Sequence, residues 1–142
     1  MRSDCGAETS SWASGGSFTT VCTSITSFPW TENFEAVMAP NLPICWSQND
    51  ANADGDKWIT YATYGVGSST AAGLYTDFNS GANNDYLILP RISLTGNQRL
   101  KFYVSARSTT EPNDYRVVLS TTGNQPSDFT NVLMPLTSVS ST

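Results

Sequence analysis

The residues best suited to chemistry lie in the segment 50–58, which reads Asp-Ala-Asn-Ala-Asp-Gly-Asp-Lys-Trp. Side chains that carry oxygen recur at every second position, at Asp50, Asn52, Asp54 and Asp56. A tightly turning loop can direct such alternate side chains at one point, and Gly55 permits the sharp bend. Three carboxylates this close repel one another unless a cation neutralises them. The spacing therefore predicts a calcium site, because calcium accepts about six to eight oxygen ligands in flexible geometry.

The loop begins like the calcium loop of an EF-hand but does not continue as one. Its twelfth position is Tyr61 instead of Glu, and no helical pattern flanks it. We expect the bidentate carboxylate to come from elsewhere, with Glu35 and Asp85 as candidates. Magnesium is disfavoured because it rarely binds in a site built only from protein ligands. The alternative is a solvated acidic turn in which Asp and Asn side chains cap backbone amides.

Composition excludes several classes of protein. The 142 residues suffice for about one domain, and 13% of them are charged, about half the usual fraction. The net charge of −5 argues against a nucleic-acid partner, which requires a basic surface. Histidine is absent from the sequence, which removes Ser-His-Asp and Cys-His catalysis and the usual zinc enzymes. Neither a signal peptide nor an apolar run long enough for a membrane helix is visible, so we expect no membrane insertion.

The pattern of the main part of the chain predicts an all-β fold. Short runs of β-forming residues alternate with turn-forming residues, and no helical period is visible beyond one turn near 127–131. Strands are predicted over 57–62, 85–89, 100–105 and 115–120. Strands at this spacing are typical of a β-sandwich. The chain ends in strand-like sequence without a closing turn, so we expect the sandwich to be incomplete at its C-terminus.

Residues 1–24 are predicted to form a separate unit. Their run RSDCG…SSWASGGSFTT resembles the last hairpin of a fibronectin type III repeat of bacterial surface proteins. We therefore expect 1–24 to be the C-terminal end of such a repeat, with a linker over 23–27, and 25–142 to be the main domain. The alternative is an arm that covers an edge of the main domain or is swapped between copies.

The three cysteines, Cys5, Cys22 and Cys45, cannot all pair with one another. No Cys-x-x-Cys spacing is present, which excludes a zinc ribbon. A Cys5–Cys22 bridge is one possibility, and the other is that the cysteines are small buried residues.

Five short motifs carry a resemblance that runs from about residue 28 to residue 137. They are Glu32-Asn33-Phe34-Glu35, Leu42-Pro43-x-x-Trp46, Asp54-Gly55-Asp56-x-Trp58, Asp85-Tyr86-Leu87-Ile88-Leu89-Pro90 and Ser120-Thr121-Thr122-Gly123-Asn124. In this order they resemble the cleaved-adhesin family, also called choice-of-anchor J, which is related to MAM domains and occurs in the haemagglutinin regions of gingipains. The resemblance implies a calcium-containing jelly-roll β-sandwich, concanavalin-like or MAM-like, in a secreted multidomain surface protein. It also implies metal-binding roles for the acids at Glu35, Asp54, Asp56 and Asp85.

The resemblance implies a non-catalytic adhesion module that recognises a host protein or a glycan, at the cell surface or outside the cell, together with other domains of the same polypeptide. Alternatives are a carbohydrate-binding module of a degradative enzyme and a structural spacer. A glycosidase is disfavoured because its two acids need diverging pKa values, whereas the acids here cluster in one loop. Three tyrosines are candidates for stacking against a sugar, with half-buried strand positions as the alternative: Tyr61, Tyr64 and Tyr75. The arginines at 91, 99, 107 and 116 are expected to form weak solvent-exposed pairs.

Overall fold

The computed structural model describes residues 4–6, 8–9, 22–75 and 81–140, and over these ranges the chain is an all-β protein. The strands are β1 (Asp4–Cys5), β2 (Glu8–Thr9), β3 (Ser47–Asp50), β4 (Trp58–Tyr61), β5 (Ala71–Leu74), β6 (Asp85–Ile88), β7 (Asn113–Leu119) and β8 (Asn131–Val139). Two single-turn 3-10 helices, Val66–Ser68 and Pro126–Asp128, make up the helical content of these ranges. None of the helices found there is long and apolar enough to cross a membrane.

The strands pair two by two into antiparallel sheets, β1–β2, β3–β6, β4–β5 and β7–β8. Three of these pairs are formed by neighbouring strands, whereas β3 and β6 come from distant parts of the chain. β4 lies against β6, and the indole Nε1 of Trp58 donates a hydrogen bond to the backbone carbonyl of Asp85 over 3.3 Å. This arrangement confirms the all-β prediction and is consistent with a β-sandwich, although the described strands join only in pairs and not into the wide sheets of a jelly roll.

Three of the four predicted strands are present, as β4, β6 and β7. The strand predicted over 100–105 is wrong, because this segment is exposed coil and no described strand pairs with it. One apolar residue of this alternating segment still packs against a strand, since the ring centroid of Phe102 lies 6.1 Å from that of Tyr115. The predicted helical turn begins earlier than expected, at Pro126, because the Asp128 carboxylate accepts the Gln125 N–H over 2.9 Å and completes a capping box.

A disulfide bond joins Cys22 to Cys45, with 5.7 Å between the two Cα atoms. The Cys5–Cys22 pairing considered from the sequence is therefore wrong. Ile25 forms a parallel bridge with Ile92, in which the Ile25 N–H donates to the Arg91 carbonyl over 2.8 Å. Part of the expected linker is thus paired with the main domain, because the disulfide at Cys22 holds the neighbouring backbone close to it.

The domain boundary at residue 24 stays a prediction. Most of the proposed fibronectin-like unit, namely residues 1–3, 7 and 10–21, lies outside the described residues. What the structure does describe of this unit is residues 22–24 and the short antiparallel pair β1–β2 with part of its turn, in which Asp4 lies opposite Thr9.

Aromatic contacts and one buried threonine organise the interior. The ring of Trp46 contacts Trp30 at 6.2 Å and Phe34 at 5.2 Å. Thr60 in β4 is 1% exposed, and its hydroxyl donates to the Asn41 carbonyl over 2.9 Å. These contacts fix β4 against the segment that precedes β3, so the loop between β3 and β4 has both of its ends held in place.

Candidate metal centre

The acidic loop begins at a strand pair that places two aspartates opposite each other. Asp50 is the last residue of β3 and Asp85 the first of β6, and the antiparallel register makes them direct partners. The loop then turns back so that Asp54 joins them. One carboxylate oxygen from each of these three aspartates lies within 4.8 Å of the other two. The structure thus brings together two acids of the loop and one acid that is distant in sequence.

The loop is wound around the side chain of Asp50. Its carboxylate accepts the backbone N–H of Asp54 over 3.2 Å and that of Gly55 over 2.9 Å. Gly55 has a φ of 94°, in the left-handed region that favours glycine, which explains the residue at this point of the turn. The carboxylate of Asp54 in turn accepts the Asp56 N–H over 2.9 Å. These hydrogen bonds hold Asp54 where it meets the strand pair.

The surroundings of the Asp85 carboxylate differ from those of Asp50 and Asp54, which accept hydrogen bonds from the loop. Both carboxylate oxygens of Asp85 are buried, and neither accepts a hydrogen bond from any residue that the structure describes. The pKa of this carboxyl is raised from 3.8 to about 6, chiefly because burial disfavours the charged form. Further contributions come from the charges of Asp54, Asp50 and Asp56. A buried carboxylate without a partner is costly, and a cation is the partner that would remove both the desolvation and the repulsion.

The donor set fits a hard divalent cation. Three carboxylates meet at one place, and no donor of the described part of the chain occupies the acceptor sites of the Asp85 oxygens. Hydrogen bonds from the loop to Asp50 and Asp54 orient those carboxylates in the manner of groups that support metal ligands. Oxygen ligands of this kind are those that calcium prefers.

The other acids and amides predicted for the site have different surroundings. The side-chain amide of Asn52 donates hydrogen bonds to the Asp54 carboxylate over 2.7 Å and to the Ala82 carbonyl over 3.1 Å. Asn52 therefore helps, as a hydrogen-bond donor, to orient Asp54. Asp56 lies next to the group of three and contributes its charge to it. Glu35 is in another part of the fold, where its carboxylate accepts the backbone N–H of Thr70 over 2.5 Å.

The structure brings together two of the three tyrosines considered for sugar binding. The rings of Tyr61 and Tyr64 meet edge to face at 5.8 Å. Tyr75 is separated from them, because it follows Leu74 at the open end of the β4–β5 hairpin, whereas Tyr61 lies at the end next to the loop. Arg107, which the sequence analysis expected to form only a weak solvent-exposed pair, lies over the Tyr64 ring at 5.8 Å. Nothing in the sequence signals this contact, because the two residues belong to distant loops.

The fold and the site define a small all-β module with a disulfide, of the kind found in oxidising, extracellular surroundings. The Cleaved Adhesin Domain family matches residues 30–141, and the chain belongs to this family.

Curated relatives of the chain are long proteins of Porphyromonas gingivalis. Hemagglutinin A is 32% identical over 103 residues, which cover 66% of this chain and 5% of that protein. A Lys-gingipain is 31% identical over 103 residues, covering 66% of this chain and 6% of the relative. Protease PrtH is 30% identical over 108 residues, covering 72% of this chain and 11% of that protein. The chain thus spans only a small part of each relative. No solved structure shows a significant match.

These findings confirm two predictions, namely the cleaved-adhesin resemblance and an extracellular or cell-surface location. Two of these three relatives carry protease names, but the family matched by this chain is an adhesin domain. The chain is therefore related to the adhesin part of such proteins.

Proposed function

We propose that this chain is a non-catalytic adhesion module whose fold is stabilised by a calcium ion held by Asp50, Asp54 and Asp85. Membership of an adhesin family supports the adhesion role. The single observation that carries the calcium site is the buried carboxylate of Asp85, which has no hydrogen-bond partner within the described ranges and faces two further acids. Calcium would supply positive charge and oxygen coordination there, and the protein supplies the arrangement of its ligands.

Binding of the ion couples to folding because its ligands come from separate elements. Asp50 belongs to β3, Asp54 to the loop and Asp85 to β6. These ligands converge only when β3 and β6 are paired, so the ion binds the folded chain in preference to the unfolded chain. At about 10–100 times the dissociation constant, such binding adds about 1.4–2.7 kcal/mol to the free energy of unfolding.

The calcium site is tested by thermal unfolding in EDTA and in millimolar calcium. We expect calcium to raise the melting temperature of the wild-type chain by several degrees, about 2–4 °C per kcal/mol for a domain near this size. Asp85→Asn keeps the shape of the side chain and should abolish this rise. The matched control is Asp114→Asn, which alters an exposed aspartate of β7 outside the cluster. A folded wild type without a calcium shift, or an equal shift in Asp85→Asn, would overturn the site.

The adhesion role is proposed to be recognition of a host protein or a glycan on a host cell. The name of one relative, Hemagglutinin A, points to erythrocytes as the first cells to test. Beads that carry many copies of the chain should agglutinate erythrocytes in calcium and should lose this property in EDTA. Beads that carry the Asp85→Asn variant are the control for calcium dependence. Beads that fail to agglutinate or bind the cells under either condition would favour a structural spacer.

One observation favours a glycan over a protein as the ligand. Tyr64 is 58% exposed and stands beside a second aromatic ring, that of Tyr61. Exposed aromatic rings offer an apolar face on which a sugar ring can stack while its hydroxyl groups stay hydrated. Because the matched region is a small part of each relative, we also propose that the module acts together with other domains of one polypeptide.

A further inference from the structure

Two tyrosine rings are held in fixed positions where β4 ends and the hairpin loop to β5 begins, those of Tyr61 and Tyr64. The ring of Tyr61 lies directly over Gly73, since a Cβ atom added to that glycine would come within 2.9 Å of it. Tyr61 in turn contacts the edge of Tyr64. Thr63 between them has a φ of 68°, a left-handed conformation that β-branched residues rarely adopt. Backbone strain of this kind persists where the surroundings enforce it, and it is often found at binding sites.

The far end of the same loop is also anchored. The N–H of Gly65 donates to the Ser69 carbonyl over 2.6 Å, and a Cβ atom on Gly65 would clash with Ser69 and with the Thr70 carbonyl. The N–H of Thr70 donates to the carboxylate of Glu35, which ties the loop to a distant part of the chain. The loop therefore presents Tyr64 without needing to be ordered by a ligand.

Arg107 brings a positive charge to this ring. Its guanidinium carbon lies 5.8 Å from the centroid of Tyr64, within the range of a cation–π contact. In the part of the chain that the structure describes, Arg107 makes no salt bridge with an acidic side chain. An arginine held against an aromatic ring is weakly hydrated and keeps its planar set of donors available for an oxyanion. No acid of the described ranges thus neutralises this cation, although the chain has a net charge of −5.

A cleft of about 380 Å³ connects these groups and is lined by Thr63, Tyr64, Ser105, Ala106 and Arg107. Its lining residues offer the aromatic ring of Tyr64, the guanidinium of Arg107 and the aliphatic hydroxyl groups of Thr63 and Ser105, and Ala106 is buried. We infer that this cleft binds an anionic sugar, a monosaccharide unit that carries a carboxylate or a sulfate. This inference rests on the proposed adhesion function and names the class of ligand.

Each part of such a ligand has a counterpart in the cleft. The apolar face of the sugar ring packs on Tyr64, and its anionic group accepts charge-assisted hydrogen bonds from Arg107. Hydroxyl groups of the sugar meet those of Thr63 and Ser105. The cleft is at the small end of the range of about 300–1,000 Å³ found for small-molecule sites. A protein partner would instead need about 800 Å² of surface on each side, so a single sugar unit fits better.

The test is a calorimetric titration of the intact chain in calcium with three probes: sialyllactose, lactose and a sulfated heparin disaccharide. The first carries a carboxylate, the second is its neutral counterpart and the third carries sulfates. We expect at least one anionic probe to bind about tenfold or more tightly than lactose, because a hydrogen bond to a charged group contributes about that factor. The two anionic probes distinguish a carboxylate ligand from a sulfate ligand.

Two substitutions assign the binding to the cleft. Arg107→Gln should weaken binding of the anionic probe about tenfold or more and leave lactose unchanged. Tyr64→Leu should weaken anionic and neutral probes alike. Arg99→Gln changes another exposed arginine outside the cleft and should have no effect. If Arg107→Gln lowers the melting temperature, Arg107→Lys retains the charge without the planar fork and should give an intermediate loss.

Three results would overturn the inference: no saturable binding of either anionic probe, equal binding of lactose, or unchanged binding by Arg107→Gln. Failure here is distinguishable from failure of the proposed function. If Arg107→Gln loses no agglutination and no anionic sugar binds, the cleft is wrong and the calcium-stabilised adhesion module stands. If the sugar binds through Arg107 but the chain shows neither calcium stabilisation nor agglutination, the cleft stands and the proposed function is wrong.

Discussion

Asp50 and Asp85 face each other as direct partners across the antiparallel pair of β3 and β6. Like charges in this position destabilise a strand pair, and Asp54 adds a third carboxylate within reach. Backbone N–H groups of the loop offset part of the charge on Asp50, whereas Asp85 has no hydrogen-bond partner among the described residues. We therefore expect the stability of this strand pair to depend on pH and on cations.

The first prediction concerns pH in the absence of calcium. The pKa of Asp85 is about 6 in the folded chain and 3.8 without the fold, so between these values the folded state binds more protons than the unfolded state. Below pH 3.8 the carboxyl of Asp85 is protonated in both states and does not destabilise the fold. As the pH rises, deprotonation lowers the free energy of unfolding, and the full loss is reached above about pH 6.

This contribution is measured as the difference in urea midpoint between the wild type and Asp85→Asn over a series of pH values in EDTA. The asparagine does not titrate, so the wild type should lose stability relative to the variant as the pH rises through this window. Calcium should remove the loss, because the ion binds the deprotonated carboxylate. A difference that is independent of pH in EDTA would contradict the prediction.

A second prediction separates the two acids that the sequence offered as distant ligands. Glu35→Ala removes the acceptor of the Thr70 N–H and should cost about 1 kcal/mol of stability, while the calcium shift stays unchanged. Glu35→Gln is the matched control, because its amide oxygen can still accept that hydrogen bond. Both variants are compared by thermal unfolding with and without calcium. Loss of the calcium shift in Glu35→Gln would show instead that Glu35 is a ligand.

A third prediction concerns the disulfide. Replacing Cys22 and Cys45 by serine should lower the free energy of unfolding by about 2–4 kcal/mol, because the bond no longer restricts the unfolded chain. Thermal unfolding of the double variant measures this loss. Cys5→Ser should retain the bond, as read from the intact mass with and without alkylation under non-reducing conditions. Complete alkylation of the Cys5→Ser variant without prior reduction would refute the Cys22–Cys45 pairing.

A fourth prediction concerns the buried hydroxyl of Thr60. Thr60→Val keeps the shape of the side chain but leaves the Asn41 carbonyl without its donor, which should cost about 1–3 kcal/mol. Thr95→Val, at an exposed position, should change the stability by less than about 0.5 kcal/mol. Urea unfolding of both variants checks this, and equal midpoints would mean that the hydrogen bond contributes nothing.

The local features of the site could be predicted from the sequence because they depend on neighbouring residues. Acids at alternate positions with Gly55 among them predict a turn that directs its side chains inward. The structure contains this turn, in which the Asp50 carboxylate accepts hydrogen bonds from the loop amides. Runs rich in β-forming residues likewise predicted β4, β6 and β7. In each case the chemistry that decides the structure lies within a few positions along the chain.

Pairing between distant segments was decided by the tertiary structure. β3 has the polar sequence Ser-Gln-Asn-Asp and no alternating pattern, and it is a strand because its backbone pairs with β6. The segment 100–105 has the alternating pattern and remains coil, because no strand in the described ranges offers it a partner. A strand needs hydrogen bonds from another segment, and a run of residues does not specify where that segment is.

The same limit applies to the residues that complete each site. The sequence by itself predicted that acids would gather in one loop, and it offered Glu35 and Asp85 as candidates for a further carboxylate. Only the register of β3 against β6 brought Asp85 to that loop. Glu35 lies elsewhere, where its carboxylate accepts the N–H of Thr70. The contact of Arg107 with Tyr64 likewise exists because two loops meet. Spacing along a chain fixes local geometry, whereas encounters between distant side chains depend on how the whole chain packs.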